Sequence, residues 1–207
     1  LNMIANKKIV LTGADSGIGY EVLKILAAEK SNTIFAVDIN MNKMHTVADN
    51  VITFQCDVSS KENVDLIFEK AEEALGKIDI FYANAGYPYY ELMDYTDWDR
   101  TARMFETNVY SPIYSYQKYV KHLDGRKGQF AITVSAIGKM AMPGFTTYSA
   151  SKFAMEGFQQ GIRFELPKNV KLTCLIVNEV ELLSKFKQTV ILAKTLLPRD
   201  VHATFHV

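Results

Sequence analysis

The chain has 207 residues, enough for one domain with a sizeable core and little more. Apolar residues make up 48% and charged residues 22%, the balance of a water-soluble globular protein. Lys plus Arg and Asp plus Glu both number 23, so no basic excess or polybasic tract favours nucleic acid or an anionic membrane surface.

Cys56 and Cys174 lie in apolar, strand-like runs and are expected to be reduced, buried thiols. Neither they nor His45, His122, His202 and His206 show ligand spacing, so no metal site is expected. No uncharged stretch approaches the roughly 18 residues needed to cross a bilayer. Leu1 to Val10 carries lysines and runs directly into a strand, which is not a signal profile. The default expectation is a cytoplasmic protein.

In chain order, Lys8 to Thr12 is a short apolar run with β-branched residues that ends at a glycine cluster. Ile18 to Glu29 carries Ile18, Val22, Ile25 and Leu26 at helical spacing. Thr33 to Val37 and Val51 to Cys56 read as the second and third strands. Lys61 to Leu75 predicts an amphipathic helix, capped by Ser59 or Ser60 and stopped near Gly76. Ile78 to Ala83 reads as a fourth strand, and Trp98 to Leu123 as a long, mostly helical stretch that contains Pro112. Gln129 to Ser135 is a fifth strand, Tyr148 to Leu166 a helix stopped by Pro167, and Val170 to Val177 a sixth strand. Glu181 to Leu197 then reads as one helix and Val201 to Val207 as a last strand. Such alternation implies right-handed crossovers and a parallel sheet covered on both faces. With no linker or repeat, a single α/β domain over residues 1–207 is expected.

Two constellations carry chemistry. TGADSGIG, Thr12 to Gly19, follows a strand and opens a helix. There Gly13 permits a tight turn, Gly17 lets backbone approach a pyrophosphate, and Gly19 lets the helix pack on the strand. The helix start offers free N–H groups and the positive end of its dipole to an anion. An ordinary glycine-rich turn is the plainer alternative. Asp38, at the end of the next strand, sits where a carboxylate can take the adenosine ribose hydroxyls and repel a 2′-phosphate, which favours NAD over NADP. A helix cap is its plainer role.

YSASK, Tyr148 to Lys152, puts a phenol and an ammonium four residues apart on one helical face. A free phenol, with a pKa of about 10, is a poor base at neutral pH. A neighbouring cation stabilises the phenolate and makes proton exchange with an alcohol or carbonyl feasible. Two solvated side chains are the alternative. Ser135 closes the fifth strand at the edge where open α/β sheets bind ligands, and its hydroxyl suits a substrate oxygen. Asn108 lies inside a helical stretch, where asparagine is unfavourable, which suggests a functional break.

Together these residues resemble the short-chain dehydrogenase/reductase family. The matching pieces, in order, are Thr12–Gly19, Asp38, Asp57-Val58, Asn84-Ala85-Gly86, Asn108, Ser135, and Tyr148 with Lys152, over roughly residues 7 to 177. The resemblance implies a Rossmann-type doubly wound sheet of about seven strands in three layers. It implies a cofactor held by Gly13, Asp15, Ser16, Gly17, Ile18, Gly19 and Asp38. Asp57 and Val58 would contact adenine, and Asn84, Ala85 and Gly86 would support sheet and cofactor. Tyr148 would be the general acid/base and Ser135 would orient the substrate oxygen. Tyr148 and Lys152 would also contact the cofactor, Lys152 at the nicotinamide ribose, and Asn108 would carry a water in a proton relay to Lys152. A small-molecule alcohol or carbonyl substrate and a homodimer or homotetramer follow from the same resemblance.

The pattern departs after the sixth strand, where Val177-Asn178-Glu179-Val180 replaces the family's Pro-Gly. Around residues 177–185 either the substrate lid is reduced or a stretch is absent between residues written as neighbours. The second is preferred, because LLPRDVHATFHV reads like an intact family ending. Tyr87, Tyr89, Tyr90, Met140, Met142 and Phe145 are expected around an apolar substrate pocket, or else as loop packing. An NAD-dependent oxidoreductase is the leading reading. An NADP-preferring reductase of the same fold and a dinucleotide-binding regulator without catalysis are the alternatives.

Overall fold

The computed structural model describes residues 4–177. Strands β1 (Lys8–Thr12), β2 (Thr33–Asp38), β3 (Val51–Gln55), β4 (Ile80–Ala83), β5 (Gly128–Ser135) and β6 (Val170–Val177) form one sheet in the order β3-β2-β1-β4-β5-β6. Every pairing is parallel. Helices α1 (Gly17–Ala28), α2 (Lys61–Leu75), α3 (Trp98–Phe105), α4 (Ser111–Leu123) and α5 (Thr146–Glu165) connect them. This is the expected Rossmann-type fold. The expected helix at 181–197 and the strand at 201–207 lie outside the described residues, as do 178–185.

Burial on two faces follows the strand alternation. Ile9 and Leu11 face one core with Val22, Leu23 and Leu26 of α1. Val10 faces the other with Ile67 and Phe68 of α2, Tyr119 of α4 and Met155 of α5. Stacked rings bind that second core together: Phe68 lies 4.9 Å from Phe81, and Phe81 lies 5.7 Å from Phe130. Cys56 is buried and Cys174 half-buried, and both are free thiols.

Local chemistry sets the helix ends. The Ser60 hydroxyl caps α2 by accepting the Asn63 N–H at 3.1 Å, and Gly76 ends it at φ +72°. Strand β4 begins two residues later than its apolar run, although Asp79 already bonds both neighbouring strands, its N–H to the Lys8 carbonyl at 2.8 Å and its carbonyl to the Gln129 N–H at 3.1 Å. Ile78 donates its N–H to His122 Nε2, and the Asp79 carboxylate takes the Lys8 N–H. The long helical stretch is three pieces. Asp97 caps α3, a π-turn occupies Glu106–Tyr110, and α4 starts with Pro112 in its first turn.

Among the described residues no helix is long and apolar enough to cross a membrane.

Candidate active site

Chain order reverses between β1 and β4, the neighbours at the middle of the sheet. Beyond the carboxyl ends of the strands there, a cleft of about 460 Å³ opens. It is lined by the glycine loop, by the ends of β2, β4 and β5, and by α5.

The glycine loop keeps its backbone bare of side chains at two turns. Gly13 and Gly17 adopt φ of +67° and +50°, a region L side chains rarely enter. A Cβ on Gly17 would meet no atom within 4 Å, whereas one on Gly19 would fall 1.8 Å from the Gly13 carbonyl oxygen. Gly17 thus leaves space at the mouth of α1, and Gly19 lets α1 close on the loop. Ser16, at the N-cap of α1, makes no side-chain capping bond, so its hydroxyl leaves the opening amides of the helix uncapped. Residues 13–19 therefore fit an anionic diphosphate.

Asn84 braces this loop from the next strand. Its Nδ2 donates to the carbonyls of Thr12 at 3.2 Å and Gly13 at 3.1 Å. Its Oδ1 accepts from the Thr133 hydroxyl at 2.9 Å. That hydroxyl has spent its proton, so the Tyr82 phenol, 2.9 Å away, donates to it. Burial raises the Tyr82 pKa and keeps the phenol protonated. The Thr12 hydroxyl in turn accepts the N–H groups of Asn84 and Ala85, each at 3.1 Å.

At one end of the cleft, Asp38 lines the wall with Asp57 and Val58. The Asp57 carboxylate accepts the Ser59 N–H and the Arg103 guanidinium, each at 2.9 Å. Burial opposes its charge, but the Ser59 amide and hydroxyl and Arg103 outweigh that, and its pKa lies below the ordinary value.

At the other end, Ser135, Tyr148 and Lys152 line the same cleft. Ser135 ends β5 opposite Val177 of β6, and its hydroxyl accepts the Ile137 N–H at 3.3 Å. Tyr148 is buried beside Met104 and Ile137, with the Phe145 ring edge-on at 6.1 Å. Lys152 Nζ lies 5.6 Å from the centroid of the Tyr148 ring. Among the described residues its ammonium makes no hydrogen bond or ion pair, and burial lowers its pKa from 10.5 to about 8.

All the residues expected at the site lie on the cleft except Asp15, Gly19 and Asn108. Gly19 packs inside the loop. Asn108 is buried behind Gly86, where a Cβ would meet Asn108 Oδ1 at 3.0 Å and Lys152 Nζ at 3.7 Å. Its side chain bonds Tyr87 and the Ser151 hydroxyl. Its carbonyl lacks an α-helical donor, since Pro112, four residues on, has no N–H. The Asp15 carboxylate is turned away into the backbone of residues 42–44. A direct hold on a cofactor by that carboxylate does not agree with this placement, because three amides already use it.

Of the expected apolar pocket, Tyr87 lines the cleft, and Tyr89 and Phe145 pack around Tyr148. Tyr90 stacks edge-on to Phe145 at 5.4 Å, while Met140 and Met142 are exposed. Sequence reasoning missed Arg103, Thr133 and Ser151. Thr133 was findable, since it stands two residues before Ser135 on the same strand face. Arg103 and Ser151 carried no signal on their helices.

A family model described as short chain dehydrogenase matches residues 7–188. An uncharacterized oxidoreductase, YxnA of Bacillus subtilis, is 33% identical over 178 residues, covering 81% of this chain and 49% of that protein. The chain thus spans about half the length of that relative. A solved short chain dehydrogenase/reductase from Burkholderia phymatum, in complex with NAD, superposes with a TM-score of 0.77 at 21% identity. That match covers 86% of this chain and 67% of the other. A short chain dehydrogenase from Burkholderia cenocepacia, in complex with NADP, gives 0.74 at 25% identity, covering 84% and 74%.

Proposed function

This chain belongs to the short-chain dehydrogenase family, and from that premise we propose that it interconverts an alcohol and a carbonyl on a small molecule, using a nicotinamide dinucleotide. The observation that carries this reading is Lys152, a buried ammonium with no hydrogen bond among the described residues, beside the Tyr148 ring on the cleft. A buried charge left unpaired is expensive, and a ligand entering the cleft supplies the missing partners. When bound, the nicotinamide supplies the hydride-carrying carbon.

The chain's own residues hold and protonate. Gly13, Ser16, Gly17, Ile18 and Gly19 form the diphosphate cradle. Asp57 and Val58 border the adenine end, and Asn84, Ala85 and Gly86 hold the cradle to the sheet. Ser135 holds the substrate oxygen. Tyr148 gives that oxygen a proton or takes one from it, and Lys152, still a cation at neutral pH, favours the phenolate. The Asn108 carbonyl, left without an α-helical donor, suits a water that reloads Lys152.

Asp38 supports NAD(H) over NADP(H). It lines the cleft, where a 2′-phosphate would meet like charge. Solved members of the fold hold either dinucleotide, so this choice rests on Asp38 alone.

The test is a fluorescence titration with NADH and NADPH, then an alcohol and ketone panel with Tyr148→Phe as control. Tighter NADH binding and turnover that needs the phenol are expected. Cofactor binding without turnover across the panel would turn the reading to a dinucleotide-binding regulator.

A further inference from the structure

Asp15 belongs to the glycine loop yet does not line the cleft. Asp15 is 4% exposed, and its carboxylate accepts the N–H groups of Asn42 at 2.9 Å, Lys43 at 2.6 Å and Met44 at 2.7 Å. Its own N–H donates to Asp38 Oδ2 at 2.9 Å, while Asp38 Oδ1 accepts the Asn40 N–H at 3.0 Å. Met44 is fully buried and anchors the far side of the turn against the α1 core. The glycine loop and the turn after β2 are therefore tied in both directions, with the two carboxylates as the knots.

The effect falls on Asp38. A carboxylate offers about four acceptor positions, and one on each oxygen is taken by a backbone amide. The carboxylate cannot rotate without breaking such a bond. A free aspartate would turn aside from a 2′-phosphate, and a tied one keeps its charge in place. Lys43 is restrained by the same turn, its ammonium 5.7 Å from the Tyr20 ring centroid.

We propose that Asp15 is a positioning residue for dinucleotide selectivity: by pinning residues 42–44 to the glycine loop it locks Asp38 against the 2′-phosphate of NADP(H) and holds Lys43 away from it. This deepens the reading of Asp38 given above and rests on it.

The experiment is Asp15→Asn, which puts an NH₂ donor where an oxygen now accepts an amide. Kd values for NADH and NADPH are measured by cofactor fluorescence in wild type, D15N, Asp38→Ala and the double variant. Amide hydrogen exchange of residues 42–44 is followed without cofactor. Exchange at 42–44 is expected to speed up in D15N. The ratio of the NADPH Kd to the NADH Kd is expected to fall about tenfold, the size of one lost hydrogen bond to a charged group. In the Asp38→Ala background the same change is expected to move the ratio less than about twofold, because Asp15 acts through Asp38. Unchanged exchange, equal weakening of both cofactors, or the same shift without Asp38 each overturns the inference. Wild-type protein that binds NADPH more tightly overturns the Asp38 reading itself, and this inference with it. Should D15N not fold, Asp15→Ser, which keeps one acceptor, carries the same comparison.

Discussion

Asn108 closes both backbone groups of Tyr87, accepting its N–H at Oδ1 and donating from Nδ2 to its carbonyl, each at 3.0 Å. The second Nδ2 hydrogen reaches the Ser151 hydroxyl at 3.3 Å, and that hydroxyl donates to the Tyr148 carbonyl at 2.7 Å. One amide therefore joins the segment after β4, the π-turn and the helix that carries Tyr148 and Lys152.

Asn108→Ala takes the side-chain partner from the half-buried Tyr87 N–H and carbonyl. A loss of about 1–3 kcal/mol in stability is expected from urea unfolding, the cost of about one orphaned group, because water in the cleft recovers part of it. Asn108→Asp, which sets a second acceptor against the Tyr87 carbonyl, should be no better tolerated.

Lys152→Met should raise stability while removing activity. Burial brings the Lys152 pKa to about 8 from 10.5, so the folded state bears a desolvation cost at neutral pH. That difference corresponds to an upper bound on the order of 3 kcal/mol. The sign over pH follows from proton binding. Between about pH 8 and 10.5 the unfolded chain binds more protons at this lysine than the folded one, so wild-type stability gains on the variant as pH rises. Below about pH 8 the cost is fully present. Thermal melts of both proteins at pH 7 and pH 10 check it: the gap in Tm should narrow at the higher pH.

Tyr148→Phe removes the proposed proton carrier and keeps the ring against Met104 and Ile137. A fall in kcat of about 10²–10⁴-fold is expected, the range for loss of a general acid/base. The NADH Kd should stay within about twofold in the fluorescence titration, because the cradle lies elsewhere. A fall in kcat with an equal loss of cofactor affinity would point to collapse of the cleft.

The two glycines at the helix mouth should fail differently. Gly19→Ala drives a methyl into the Gly13 carbonyl and should cost about 3 kcal/mol or more in stability. Gly17→Ala meets no atom and costs only backbone strain, about 1–2 kcal/mol. Its methyl occupies the anion's space, so NADH affinity should fall by about tenfold or more with a small change in Tm. Calorimetry and cofactor titration on both variants separate the two.

The sheet was legible because near-continuous apolar strands such as β5 and β6 reflect burial on both faces, and α2 because Ser60 and Gly76 punctuate it. Most of the cleft was legible too, since a glycine cluster, a strand-end acid and a tyrosine-lysine face recur at readable places. The π-turn was only half legible: Pro112 and Asn108 marked a break in one long helix, but helical periodicity does not distinguish a four-residue from a five-residue hydrogen bond. The orientation of Asp15 was not legible at all, because a loop aspartate can face the cleft or a neighbouring turn, and only the path of residues 40–44 decides.

The chain of bonds from Tyr82 through Thr133 to Asn84 and on to Gly13 runs across β4 and β5 to the loop after β1. Ser135 stands on β5 two residues beyond Thr133. The cradle and the serine are thus mounted on one stiff frame, and their separation is set by strand spacing, not by loop conformation. Substrates of different shape would be accommodated by the aromatic segments at 87–90 and 140–145, which can vary while the reacting distance stays constant. Changes of substrate range in such a molecule should accordingly come from those rims, and changes of rate from the frame.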